Sequence, residues 1–476
     1  MQSTPLSTRL VAHGPARVVA PGVIGAQRPL ATATKSTSPP PSTTTFPASF
    51  VPFKSTAPEL IPESLGPPIR PRDLLKLACQ RSSPLVCPNQ RLIEELAVIW
   101  HFRRIAGEPG VVMDRHDLAF QKAISSIKAL PTKILNEADA AGLPYVGPKI
   151  GTLVAEWIET GKIEQARTFL PSRGPDHHRK LQLTFRLFRL AGVSSEELRQ
   201  DDRLRACILF QTLHSVGPLR ARELYDERGC RSLDDVYAVM PETQLEVDHW
   251  EELTTSIPRT EVAEIAQTIA RELEQISPGC ELTVCGGYRR GKPSSGDVDL
   301  VFTHRTNPGA ITLAQLNRLV DSLLKSGLIT GELPGGTHAA GSRLWQKYLV
   351  FRLPSEDGAP KRLRRRVDVV FAREQSGRSV SLARFPERLL TSDGPPAPAA
   401  FENYATAVLG WTGSLSFERS LRDRAKQLKM KFDSSALKDP TAGARLLDVD
   451  PAGGERALFE KFKLDWIEPE FRNADI

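Results

Sequence analysis

The stretch ELTVCGGYRRGKPSSGDVDLVFTH, residues 281–304, sets the terms for any fold this chain can adopt. Apolar and β-branched residues flank a glycine cluster on both sides, a pattern of strand, loop and strand. Asp297 and Asp299 stand two apart on the second strand, so a period of two puts both carboxylates on one face. Val298 and Leu300 point the other way. Carboxylates this close repel each other unless cations lie between them. Asp368, in RVDVV, is a third carboxylate on a predicted strand. Three such Asp can hold two divalent ions roughly 3.5–4 Å apart, as in-line phosphoryl transfer requires. A bare pair of this kind is more often the solvated face of an ordinary strand, but the neighbouring loop alters that balance. Its glycines let backbone amides approach an anion, and Arg289, Arg290, Lys292, Ser294 and Ser295 add donors. Anion donors beside a metal-binding pair suit a nucleoside triphosphate.

The surrounding pattern supports an α/β region over 258–371. A helix, RTEVAEIAQTIARELEQI, precedes the loop; another at 313–326 leads to the strand-like QKYLVFRLP and RRRVDVVFA. The sheet is expected to be mixed or antiparallel. Residues 372–402 are rich in Pro and Gly and read as a loop insertion. From 403 the pattern is a small α+β unit ending in the helix ERALFEKFKL.

Upstream, the periodicity is helical in NQRLIEELAVIWHFRRIA and HDLAFQKAISSIKAL. Two similar stretches follow: LPYVGPKIGTLVAEWIETGKI (143–163) and LHSVGPLRARELYDERGCRSLDDV (213–236). In each, an apolar-x-Val-Gly-Pro core opens a helix. The glycine permits a tight turn, and the proline sits in the first helical turn, where its missing N–H costs nothing. Such a turn aims free amides outward and holds a phosphate without reading a base. One turn could be simple helix packing. Two, at Gly147 and Gly217 in a chain of net charge +7, point to a helix-hairpin-helix grip on nucleic-acid backbone.

The rest of the chain bounds the answer. Its 476 residues suggest several domains, no run of 18 apolar residues crosses a membrane, and the six cysteines form no CxxC pair. The first 58 residues contain no Asp or Glu, and STSPPPSTTT cannot pack a core; residues 1–86 read as a disordered basic tail. The acid-free composition also fits a mitochondrial presequence. The basic stretch RGPDHHRKLQLTFRLFRL either touches phosphate or is a solvated connecting helix, and its His177 and His178 are read as solvent-exposed. KRLRRRVD (361–368) either steers DNA or solubilises the strand it precedes.

GGYRRGKPSSGDVDL resembles the signature of family X DNA polymerases, and the resemblance covers residues 87–476. The two hairpins, the loop with DVD, RVDVV, LGWTGS (409–414) and IEPEFRN (467–473) fall in the family's order. The GG before Tyr288, the GW before TGS, FERSLR and the chain's ending are closest to the polymerase mu and terminal transferase branch, of the fungal polymerase IV type. The resemblance implies a multi-domain α+β protein. Its parts are the tail at 1–86, a helical lyase-like domain at 87–170 with the first hairpin, and a helical DNA-binding subdomain at 171–257 with the second. A nucleotidyltransferase palm at 258–402 and a nucleotide-selection subdomain at 403–476 complete it.

The residue roles it implies are these. Asp297, Asp299 and Asp368 would ligate two Mg²⁺ ions, with Mn²⁺ as the alternative, and Asp368 would also serve the primer 3′-hydroxyl. Arg259, Arg290, Ser295 and the backbone of Gly287 and Gly296 would hold the triphosphate, while Trp411 and Gly413 line its sugar and base. Gly147, Lys149 and Gly217 would contact DNA, and Arg422 its template strand. Carbonyls around Leu143 and Val146, and around Leu213 and Val216, would bind a monovalent cation bridging to phosphate.

Three departures alter the expectation. Leu153 stands where the family's lyase nucleophile is a lysine, so 5′-deoxyribose phosphate lyase activity is expected to be weak or absent. Gly410 replaces the tyrosine that blocks a ribose 2′-hydroxyl in the beta and lambda members, so both deoxy- and ribonucleotides are expected substrates. Residues 1–86 are too rich in Pro and Ser to form the BRCT domain of the family's larger members. The loop PGGTHAAGSRLW (334–345) is expected to favour templated filling of gaps and broken ends; the alternatives are a template-independent terminal transferase and a non-catalytic DNA end-binding protein. A nuclear monomer is expected, the mitochondrion being the alternative location.

Overall fold

In the computed structural model, five strands carry the centre of the protein: β2 (Cys280–Val284), β4 (Val298–His304), β5 (Ile329–Leu333), β6 (Leu344–Phe351) and β7 (Arg365–Ala372). They lie in the order β2-β4-β7-β6-β5. Only the β4–β7 pair is parallel, so the sheet is mixed. The structure describes residues 43–53, 61–106, 115–164, 194–304, 312–336, 343–356, 358–372, 402–439, 445–446 and 454–475.

The sheet's two faces differ because side chains alternate. Leu300, Phe302, Val367, Val369 and Phe371 pack with Leu349 and Phe351 on one face. Two helices cover it, α11 (Arg259–Ile276) and α13 (Leu313–Lys325). α11 buries Val262, Ile265, Ala266, Ile269 and Leu273, the stripe its sequence periodicity predicts. On the other face, Val301, Val370 and Ala372 meet Tyr404, Ala407 and Val408 of α14 (Glu402–Thr412). Asp299 and Asp368 share this second face but lie one residue pair further toward the strands' N-terminal ends.

The N-terminal helical region contains α1 (Gln90–Ala106), α2 (Arg115–Lys128), α3 (Glu137–Ala140) and α4 (Pro148–Thr160). After it come α5 (Ser195–Arg199), α6 (Asp202–Phe210), α7 (Pro218–Asp226), α8 (Leu233–Val239), α9 (Gln244–Asp248) and α10 (Trp250–Thr254). One continuous core joins both groups, with Ile93, Leu153, Leu209 and Leu224 fully buried. A ribbon of β1 (Ile257–Pro258) and β3 (Ser294–Ser295) leads into the sheet. The C-terminal lobe holds α14, α15 (Leu415–Gln427), the antiparallel strands β8 (Lys431–Asp433), β9 (Ala436–Asp439) and β10 (Arg445–Leu446), and α16 (Gly454–Lys461).

The expectation of a disordered tail over 1–86 is corrected for residues 61–86. Leu74, Leu77, Ala78, Cys79 and Arg81 are buried there. Cys79 donates its amide to Ser420 on α15, Arg81 donates to Ser125 and Ser126 on α2, and Ser83 exchanges backbone bonds with Phe471 and Asn473. The segment is ordered despite its composition because it packs between other elements rather than on itself. Upstream, Phe46, Phe50 and Phe53 also pack against the helical core. The remainder of the tail, His177 and His178 with their basic stretch, and 373–401 of the Pro-Gly insertion lie outside the described residues.

Candidate active site

The site begins with strand register. In the parallel ladder Asp299 pairs directly with Asp368, and Asp297 immediately precedes β4. One ligand oxygen from each of the three carboxylates lies within 4.8 Å of the others, the one such cluster of potential metal ligands among the described residues. Asp368 is buried, and its Oδ1 accepts no hydrogen bond. Burial, then the charge of Asp297, pushes the Asp368 carboxyl up to about 7 against the pull of Arg366. Asp299 is driven well above the usual carboxylate range, first by burial and then by Asp297 and Asp368. A clustered, oxygen-only donor set with a buried oxygen that accepts no hydrogen bond suits a hard divalent cation such as Mg²⁺.

Arg366 was read from sequence only as part of a basic run. It forms an ion pair with Asp297, and its Nε lies 3.6 Å from Asp368 Oδ1. Burial opposes its charge, but Asp297 and Asp368 outweigh that and raise the guanidinium further above its ordinary value. Its spacing from Asp368, two residues along one strand, is the signal that could have placed it on the carboxylate face. The rest of the run is largely neutralised: Arg362 pairs with Glu264, Arg364 with Glu252 and Arg365 with Glu261. These ion pairs tie β7 and the segment before it to α10 and α11.

The glycine-rich loop after β2 is regular, where its composition suggested irregular backbone. Gly286–Arg289 forms a helical turn, α12, directly after β2. Gly286 has φ +55°, and a Cβ there would come within 1.8 Å of Asp299 Oδ2. Glycine therefore makes room for the carboxylate. At Gly287 a Cβ would meet Ser295 Oγ at 3.0 Å, so the loop closes tightly on the buried Ser295. Gly296 has open space around it. Arg290 donates to Asn473 Oδ1 and to the carbonyl of Thr412, while Asn473 Nδ2 donates back to the carbonyl of Arg290. Arg259 stacks 3.8 Å over Tyr288 and donates to its carbonyl. Thus Arg259, Gly287, Arg290 and Ser295 converge on one loop beside the carboxylates.

The C-terminal lobe completes that wall. Gly413, at φ +70°, lies against Arg290, with 3.0 Å between its Cβ direction and Nη1. Trp411 is half-buried against the apolar cluster that α14 forms with the sheet. Arg289 is not available to a phosphate: it pairs with Glu455 and donates to Thr412. Glu455 also accepts from the fully buried Arg472 at 2.8 Å. Although burial works the other way, Arg472 and Arg289 hold Glu455 below the usual carboxylate range. Arg422 pairs with Glu418 on its own helix. At Gly410 a Cβ would meet Ser434 Oγ at 2.6 Å. Packing against the β8–β9 turn is thus a second reason for a residue without a side chain here.

The two hairpins repeat each other closely. Val146 donates to Leu143 and Val216 to Leu213, each at 3.1 Å. Gly147 has φ, ψ of −83°, 178° and Gly217 −82°, 176°, each just before the Pro that opens α4 or α7. A Cβ at either glycine would meet nothing in the protein. Lys149 is exposed beside Gly147, whereas Leu153 is fully buried in the helical core.

Residues 256–374 match the DNA polymerase beta palm, 407–473 the DNA polymerase beta thumb and 87–163 a helix-hairpin-helix domain, together more than half of the chain. The chain is 26% identical to the DNA polymerase type-X family protein pol4 of Schizosaccharomyces pombe, over 84% of itself and 68% of that protein. It is 27% identical to the human DNA-directed DNA/RNA polymerase mu, over 87% of itself and 75% of the relative. Human DNA nucleotidylexotransferase matches at 27% over 86% and 72%. Palm, thumb and hairpin models in this order, with relatives aligned along most of the chain, establish that it belongs to the X family of DNA polymerases.

Proposed function

We propose that the protein is a DNA-directed DNA polymerase that adds nucleotides to a primer 3′ end in short gaps and at broken ends. The observation that carries this reading is the Asp297–Asp299–Asp368 cluster, set beside the Arg290 loop in a polymerase-type palm. The three carboxylates would hold two Mg²⁺ ions, which supply charge neutralisation at the attacking and leaving oxygens. Asp368, opposite Asp299 in the ladder, would serve the primer 3′-hydroxyl as its base or through the metal it ligates. Arg290 and Ser295, with the amides of Gly287 and Gly296, would bind the triphosphate, and Arg259 would reach it from the start of α11. Trp411 and Gly413 would frame the sugar and base, and Arg422 would meet the template.

The hairpins would hold DNA backbone through Gly147, Lys149 and Gly217, with a monovalent cation at each turn. The open space at both glycines supports close approach of a phosphate. Leu153, buried and without a nucleophilic atom, supports a polymerase with little or no lyase activity. Among the described residues no helix is long and apolar enough to cross a membrane. A DNA-repair role supports a nuclear location. Extension of a labelled primer on a gapped duplex, beside the same strand alone, tests the reading: gap-dependent extension supports it, and extension of the bare strand makes the protein a template-free transferase.

A further inference from the structure

His214 and Tyr348 meet where three parts of the chain converge. His214 lies inside the second hairpin turn, between Leu213 and Val216. Its ring centroid is 4.1 Å from that of Tyr348. Tyr348 lies on β6, and its register partner on β7 is Asp368. Gly335, just beyond β5, faces both: a Cβ there would be 3.8 Å from the tyrosine ring and 3.9 Å from His214 Nε2. The backbone is fixed from behind, because the His214 amide donates to the buried Glu246 on α9, and Leu245 packs against Gly331 of β5. Both rings are only half-buried, so neither is ordinary core. His214 also lies within electrostatic reach of Asp297 and Arg366.

A hairpin that holds backbone phosphate cannot by itself place a 3′-hydroxyl. Register at the reacting atoms needs a rigid link between the grip and the catalytic strand. We infer that His214 and Tyr348 are that link, a positioning pair whose ring contact sets the distance from the phosphate-gripping turn to Asp368. The inference rests on the polymerase reading. It assigns the pair to alignment of the primer strand, with triphosphate binding left to the Arg290 loop.

The test compares wild type, His214→Ala, His214→Phe and Tyr348→Ala on a single-nucleotide-gap duplex with a fluorescent base analogue at the primer terminus. Thermal melts verify that each variant is folded. His214→Ala and Tyr348→Ala are expected to lower kcat about tenfold or more, with the nucleotide KM unchanged and the terminal base more mobile. His214→Phe keeps a ring and recovers most of kcat. Wild-type extension with His214→Ala equally active overturns the pair while sparing the polymerase reading. A phenylalanine variant no better than alanine also overturns it, since ring contact is then not what matters. Failure of the wild type to extend any primer overturns both.

Discussion

Asp299 sits opposite Asp368 in the parallel ladder between β4 and β7, so backbone hydrogen bonding, not side-chain attraction, brings the two charges together. The sheet bears the repulsion, and Arg366 offsets part of it through Asp297 and Asp368. Backbone pairing thus fixes the carboxylates relative to one another, which is what preorganised catalysis by charge requires.

Gly286 should tolerate no side chain. A Cβ would occupy the place of Asp299 Oδ2, and the residue's φ of +55° disfavours any other amino acid. Gly286→Ala is expected to reduce primer extension by on the order of 10²-fold with the far-ultraviolet circular dichroism unchanged. Extension at the wild-type rate would mean that Asp299 can move without consequence.

Arg366→Ala removes the cation that the carboxylates share. Without metal the variant is expected to lose roughly 1–3 kcal/mol of stability, since charged groups are left without a partner. Added Mg²⁺ should close most of the gap to wild type, because bound cations take over the neutralisation. Melting curves in chelator and in Mg²⁺ measure both effects, and a deficit that Mg²⁺ leaves untouched contradicts this role.

Much of this site was legible in the residues. Period two placed Asp297 and Asp299 together, and the two Val-Gly-Pro cores announced hairpins that prove nearly superimposable in their turn angles. What sequence could not give was pairing between distant strands. The register that brings Asp368 to Asp299, the ion pair of Arg366 with Asp297, and the contact of Ser434 with Gly410 are all set by tertiary packing. The order of segment 61–86 has the same origin: Leu77, Ala78 and Cys79 are buried in one cluster with Phe417, Leu421 and Phe459, partners far along the chain.

Gly410 carries two expectations that separate cleanly. If its missing side chain opens the sugar site, ribonucleotides should be incorporated with an efficiency near that of deoxynucleotides, and discrimination of thousands-fold on kcat/KM, roughly 4 kcal/mol or more, would refute that. Independently, Gly410→Ala should destabilise the C-terminal lobe by roughly 1–3 kcal/mol through overpacking, and Ser434→Gly in the same chain should restore it. Equal losses in the single and double variants would contradict the packing account.

His101 gives the protein an acid-sensitive element. Burial, with a contribution from Arg104, pushes its imidazole down to about 4 from the ordinary 6.5. The unfolded chain therefore takes up the proton first. The stability is fully present above pH 6.5 and is lost as the pH falls from 6.5 toward 4, on the order of 1 kcal/mol per unit. His101→Phe should flatten denaturant midpoints across that window. A wild-type midpoint that does not fall between those limits would contradict the burial of a neutral ring.

The carboxylate cluster is expected to perform metal-dependent nucleotide transfer to a primer. The most direct measurement is extension of a labelled primer on a single-nucleotide gap in Mg²⁺, with wild type and Asp368→Asn side by side. The account predicts extension by wild type, its abolition by chelator, and a loss of several orders of magnitude in the variant, with gapped-DNA affinity retained. Extension by Asp368→Asn at the wild-type rate would contradict it.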